Sequence, residues 1–442
     1  MAKIRTYEDF QYEDLLTYAG IDTIVTYELF KKLYGRLSTK PEYLTRKKGG
    51  IVDTVRAPAI VEEALEIKKD AIEFMVDMMF NGIEYDVELN RQYDLRMQGE
   101  LSALKDKIHK ASGHVWNFDS DLEMEAVLFK ALGLETTIKT KKGKASTSGD
   151  ALKEMAKNYP QHTWLKDLAK YADVASVHRS FISGYIEKHV KRDGRVHPNY
   201  NLHGTSSHRI SGDNPNLLNI PSPKHGYNIR KLFKVSDGMA FLTFDFSSCE
   251  VKILAALCKD KKMLEAILKG LDFHSYTASL MYNIDYETLV EAVDDEDHPN
   301  HKEYKGYRKN AKSVTFGILY GSSTAGVAMN IGCSTDEAQK IIDAYFVVYP
   351  DIKLFIEKCH NDAALNKWVY TTFKQRKMEY GLYDVFKRTA VYNAGLRNAQ
   401  NVLIQSPAST LGLVAFSKFN KEIKKIGGKA ICTVYDSIEL EI

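Results

Sequence analysis

Two short apolar segments of this chain each run into an aspartate: AFLTFDF (240–246) and AICTVYDSIELEI (430–442). The first is rich in aromatic and β-branched residues and reads as a buried strand closing on Asp245. The second reads as two short strands hinged near Asp436, the latter alternating Ile438, Leu440 and Ile442. A carboxylate buried at the tip of an apolar strand is costly unless it is paired or binds a cation. Two such acids brought together repel each other, and divalent metal ions relieve that repulsion. A lone strand-end aspartate is more often a turn or cap residue, so spacing alone leaves both roles open.

Much of the remaining sequence carries helical spacing. Ala64, Leu65, Ile67, Ile72, Phe74, Met75, Met78 and Met79 form one such run, which Asn81-Gly82 breaks. A second helix is predicted over about 89–111, another over 248–258, and residues 263–390 read as mostly helical. KTKKGKASTSGD (139–150) is a loop, with Ser148 or Asp150 placed to cap the helix after it. At 442 residues, several domains or subdomains are expected.

Hydrophobic residues at 44% and charged residues at 27% fit a globular chain. No run of eighteen apolar residues and no N-terminal apolar stretch occur, which predicts a cytoplasmic protein with no membrane partner. The five cysteines have no zinc spacing and read as free thiols. A net charge of +3 excludes little, because basic residues gathered on one surface still bind nucleic acid.

In RKNAKSVTFGILYG (308–321), Arg308, Lys312, Phe316 and Tyr320 are spaced by four and lie on one helical face. Cations suit a triphosphate and aromatic rings suit a base. An ordinary amphipathic helix with a basic edge has the same pattern.

The motifs taken together resemble DNA polymerase family A. DFSSCEVKILA (245–255) resembles its motif A, RKNAKSVTFGILYG its motif B and TVYDSIELEI (433–442) its motif C. HRIS with NPNLLNIP (208–211, 214–221), DFHSYTA (272–278) and NVLIQSPAS (401–409) are similar to three further family elements, in the same order.

The resemblance implies an α+β right-hand fold, with an antiparallel palm sheet and helical thumb and fingers. It divides the chain into a 3′–5′ exonuclease remnant (1–40), thumb (60–195), palm (196–262 and 391–442) and fingers (263–390). It implies template-directed addition of dNMP to a primer 3′-hydroxyl, with primer–template DNA and dNTPs as partners. Asp245, Asp436 and the Phe246 carbonyl would hold two Mg²⁺ ions. Arg308, Lys312 and His274 would hold the triphosphate, with Lys312 as the acid for the leaving pyrophosphate. Phe316 would stack by the incoming nucleotide, Tyr320 would sit near the template base, and Glu250 would exclude a ribose 2′-hydroxyl. Arg209, Asn219, Asn401, Gln405, Lys139, Lys141, Lys142 and Lys144 would touch DNA.

Several residues depart from the family pattern: Phe246, Leu218, Ser406, Tyr435 and Ser437, the last two standing where motif C usually has histidine and glutamate. They suggest a divergent, phage-like member. YEDLLTYAGIDTIVTYELF (12–30) is similar to the last exonuclease motif at Tyr18 and Asp22, but the family's DxE metal pair is absent from the chain, so no proofreading is expected from it alone. Both ends fall inside family domains, which predicts a chain truncated within the exonuclease domain and just after motif C, as a gene split by an intron or intein would give. The alternative function is an inactive DNA-binding fragment that needs complementary polypeptide. An RNA polymerase is disfavoured by Glu250 and Phe316.

Overall fold

Helix signals in the sequence act locally in the way their chemistry requires. Glu62–Asn81 is helical, and Gly82 ends it at φ +58°. A side chain at Gly82 would lie 2.7 Å from the His197 ring, so both backbone and space demand glycine. Val87–Ser112 is capped by Asp86, which accepts from the Leu89 amide, and is closed by Gly113 at φ +71°. Ser148, rather than Asp150, caps the helix Gly149–Asn158.

This computed structural model describes residues 62–140, 143–202, 204, 205, 207, 209–372, 376–378, 380–383 and 389–442. It also describes 24, 25, 27, 28, 31, 42–46 and 52–56. Tyr18, Asp22, Lys141 and Lys142 lie outside the described residues. The elements that carry the site are, in chain order, β1 (Phe241–Asp245), α1 (Cys249–Cys258), α2 (Phe273–Tyr282), α3 (His301–Leu319), α4 (Ala390–Lys425), β2 (Lys429–Val434) and β3 (Ser437–Glu441). The mixture is α+β, as expected. The stretch 263–390 is mostly helical, although Trp368–Tyr370 pairs antiparallel with Arg376–Met378 inside it.

The chain divides into two compact units. The first comprises Met1–Glu73, Leu202–Arg209 and Phe246–Ser417, and the second Phe74–Asn201, Ile210–Asp245 and Lys418–Ile442. In the first, Val251, Leu254 and Phe273 are buried with Val314, Leu319 and Tyr345 in one core. Tyr349 shares a 2.9 Å hydrogen bond with Thr277, which satisfies both buried hydroxyls. Two cores lie in the second among the described residues. Trp116, Leu128, Leu152, Met155 and Leu165 form one, while Ile83, Met97, Val196, Leu232 and Ile431 form the other.

The second unit also holds a three-stranded antiparallel sheet in the order β2-β3-β1. Ile438 and Leu440 are fully buried, each stabilising by about 2 kcal/mol. A one-residue slip would exchange them for Ser437 and Glu439, so burial fixes the register. Two sequence expectations change here. Strand β1 is not buried: Phe241 is 46% exposed and Phe244 38%, because β1 is an edge strand with one neighbour. Ile442 is also exposed and lies just past the end of β3. Glu441, in contrast, is buried and forms a 2.9 Å ion pair with Arg195.

Among the described residues all five cysteines are free. Within the same set no helix is long and apolar enough to cross a membrane.

Candidate active site

Val434 pairs with Ser437, leaving Tyr435-Asp436 as a two-residue turn between β2 and β3. Tyr435 occupies the left-handed region at φ +60°, an uncommon place for a bulky residue, and its hydroxyl donates to Asn219 Oδ1 at 3.3 Å. Across the sheet Ser437 stands opposite Asp245. Asp245 and Asp436 therefore occupy the same end of one sheet. Both are exposed, not buried as their apolar strands suggested. At the water-facing end of an edge strand the desolvation cost that argued for a bound cation is small.

Opposed residues in an antiparallel pair share a face, as do residues two apart. Asp245, Thr243, Ser437 and Glu439 therefore lie on one face. Glu439 accepts from the Thr243 hydroxyl, and Ser437 Oγ lies 3.1 Å from its Oε1. Glu439 was not singled out from the sequence, although it shares this face with Asp245. Its signal was the strand period of two, which carries an acid from the position beside Asp436 to the next residue on that face.

In the first unit α3 carries Arg308, Lys312 and Phe316, and Tyr320 forms its C-cap. The Phe316 and Tyr320 rings stack at 6.0 Å with 22° between planes, and the His274 ring is 5.7 Å from Phe316. Arg308 donates from Nε and Nη2 to the two oxygens of Asp272, at 2.9 and 3.0 Å. Asp272 also caps α2 by accepting from the Ser275 amide at 2.8 Å. Burial pushes the Asp272 carboxyl up, but Arg308 and the Ser275 bonds outweigh it and hold it down at about 2. Burial lowers His274 to about 4, with Arg308 and Lys312 acting in the same direction against Asp272. Its Nδ1 is buried with no hydrogen-bond partner, so the ring is neutral near pH 7. Lys312 is exposed and has no ion-pair partner among the described residues.

Glu250 on α1 is buried and accepts from Arg209 and from the Tyr320 hydroxyl, the latter at 2.7 Å. Three predicted residues thus meet directly. Burial first, then the Glu250 charge, pushes the Tyr320 hydroxyl up to about 12. Asn401 Nδ2 donates to the Tyr320 carbonyl at 3.3 Å, and Gln400 Nε2, not singled out from sequence, donates to the Ile318 carbonyl at 2.6 Å. Gln405 is half-buried further along α4. In the second unit Asn219 is exposed, while Leu218 is buried in place of the family's usual polar residue. Lys139 and Lys144 are exposed beside a short bridge from Lys139 to Ala145.

The model for DNA polymerase family A matches residues 87–442. The chain belongs to that family. It is 28% identical over 436 residues to DNA polymerase I of Chloroflexus aurantiacus, covering 97% of this chain and 42% of that protein. It is 28% identical over 425 residues to the thermostable DNA polymerase I of Thermus aquaticus, covering 96% of this chain and 47% of that protein. The chain thus spans less than half the length of these curated relatives. Among solved structures it is similar to the POL domain of Pol1 from M. smegmatis, in complex with DNA primer-template and dNTP, with a TM-score of 0.76 and 26% identity. That match covers 87% of this chain and 66% of that one.

For a family member, the donor set at the sheet end has the chemistry of a hard-cation site. It offers carboxylates rather than thiols or imidazoles, and it is open to water. No group of three or more His, Cys, Asp or Glu side chains with metal-ligand geometry occurs among the described residues. Such a site needs water, backbone carbonyl or substrate oxygens to complete it, which suits Mg²⁺.

Proposed function

We propose that this chain is the polymerase region of a DNA polymerase that adds dNMP to a primer 3′-hydroxyl under direction of a template. The observation that carries the reading is the register that brings Asp245 and Asp436 to one end of the sheet. In this reading Asp245, Asp436 and the Phe246 carbonyl hold two Mg²⁺ ions. Bound there, the ions supply activation of the primer hydroxyl and charge neutralisation of the leaving pyrophosphate.

The chain's own residues do the positioning. Arg308 and Lys312 hold phosphate oxygens by charge-assisted hydrogen bonds, with Arg308 giving up or sharing Asp272 to do so. Neutral His274 adds a hydrogen bond without adding charge. Lys312 delivers a proton to the leaving pyrophosphate. Phe316 supports the incoming sugar and base by stacking. Glu250, held on two sides by Arg209 and Tyr320, presents a fixed wall that excludes a 2′-hydroxyl. Asn219, Asn401, Gln405 and the basic loop 139–144 take the DNA, largely through phosphates. The thumb, palm and fingers occupy 60–195, 196–262 with 391–442, and 263–390. The setting is cytoplasmic.

Single-nucleotide incorporation tests the reading. On a primer–template with Mg²⁺, the dNTP complementary to the templating base should be added and the other three rejected. Addition independent of the template base would refute it.

A further inference from the structure

Charge on α3 extends well beyond the two cations proposed for the triphosphate. His301, Lys302, Lys305, Arg308, Lys309 and Lys312 line one groove together with Gly306. At 100° per residue these six side chains fall within an arc of about 120° on the helix. Glu303 lies across the helix, where it accepts from Tyr307. Lys302, Lys305, Lys309 and Lys312 are exposed, and none has an ion-pair partner among the described residues.

This face opposes its own helix. Lys302/Lys305, Lys305/Arg308, Lys305/Lys309, Arg308/Lys312 and Lys309/Lys312 are like charges three or four apart, which destabilise a helix. Gly306 weakens it further and has no packing reason, since nothing lies within 4 Å of where its Cβ would be. Local rules are broken in this way where function requires it. A bound anion would offset the repulsion within these pairings.

Length identifies the anion. His301 to Lys312 spans about 16 Å of helix. One triphosphate held by Arg308 and Lys312 leaves Lys302, Lys305 and Lys309 without phosphate, while His301 is held by the Ala292 carbonyl at Nδ1 and accepts from Lys305 at Nε2. Successive phosphates of a strand lie roughly 3.4 Å apart along the axis, so the span of about 10 Å from Lys302 to Lys309 matches about three of them. The neighbouring Tyr304 and Tyr307 rings stack on each other, and Tyr307 also on Tyr282 at 3.9 Å, so no free ring faces a base. We propose that Lys302, Lys305 and Lys309 form a second phosphate site, which holds the backbone of a single nucleic-acid strand without reading its sequence. The proposal rests on the polymerase reading only for the presence of a DNA substrate.

Equilibrium binding of a fluorescent single-stranded oligonucleotide, measured against salt concentration, tests it without requiring catalysis. In the Lys302→Gln/Lys305→Gln/Lys309→Gln variant the slope of log K against log salt should become shallower by about 2, at roughly 0.7 per lost phosphate contact. Glutamine keeps helix propensity, and an unchanged circular dichroism melt checks the fold. Oligonucleotides of different sequence should lose equally. An unchanged slope overturns the proposal. So does a variant that keeps its DNA slope but binds inorganic tripolyphosphate several-fold more weakly, since the groove would then serve free polyphosphate.

Discussion

Ser437 stands directly opposite Asp245 in the antiparallel register, and through it Asp436 is brought to the same end of the sheet as Asp245. Neither acid is buried, so neither is expected to matter much for folding. Asp245→Asn and Asp436→Asn should each abolish primer extension while leaving the thermal melt within about 0.5 kcal/mol of wild type. Melting and extension measured on the same preparations check both halves of this statement.

Glu439 shares the face of Asp245 and holds Thr243 and Ser437. If it orders the acids from behind, Glu439→Gln should slow extension about tenfold, the scale on which groups behind metal ligands act. DNA affinity should not change. A rate equal to wild type would confine Glu439 to a structural role.

Glu250 is bound on two sides, by Arg209 and Tyr320. Glu250→Ala should ease ribonucleotide entry and lose about 2 kcal/mol of stability with the charged hydrogen bonds. Competition between rNTP and dNTP, read with the melt, checks both effects. Unchanged discrimination would remove Glu250 from its proposed gate.

His274 sets a pH dependence. Its pKa falls from 6.5 unfolded to about 4 folded, so the unfolded chain binds the extra proton first as pH drops. Stability should be constant above about pH 6.5, fall between there and about pH 4, and level off for this group below. The full loss is on the order of 3 kcal/mol. Asp272 is depressed from 3.8 to about 2, so its contribution is lost separately, as pH falls through that lower window. His274→Gln should flatten the upper window alone in urea melts taken across pH.

The Arg195–Glu441 pair is a different case, because the Glu441 side chain is 1% exposed and that of Arg195 12%. Glu441→Ala should cost about 3 kcal/mol by leaving a guanidinium buried without its carboxylate. Urea denaturation checks it.

These residues also show what a sequence makes legible. The helix stop at Gly82 and the helix start at Ser148 were readable because a positive φ or a cap acts within a few residues. The row Arg308, Lys312, Phe316 was readable because helical spacing is local. The exposure of β1 was not: AFLTFDF looks the same at an edge as in the middle of a sheet, and only its neighbours decide. The Arg195–Glu441 pair joins residues far apart in the chain, and no local pattern announces it. The sequence marks Arg308 as a phosphate cation, and only the fold brings Asp272 onto it.

The most direct test of the whole account is primer extension by the 442-residue chain, with Mg²⁺, four dNTPs and the Asp436→Ala variant beside it. The account predicts full extension by the wild-type chain and none by the variant. Equal extension by both would contradict it, and so would wild-type DNA binding with no extension at all.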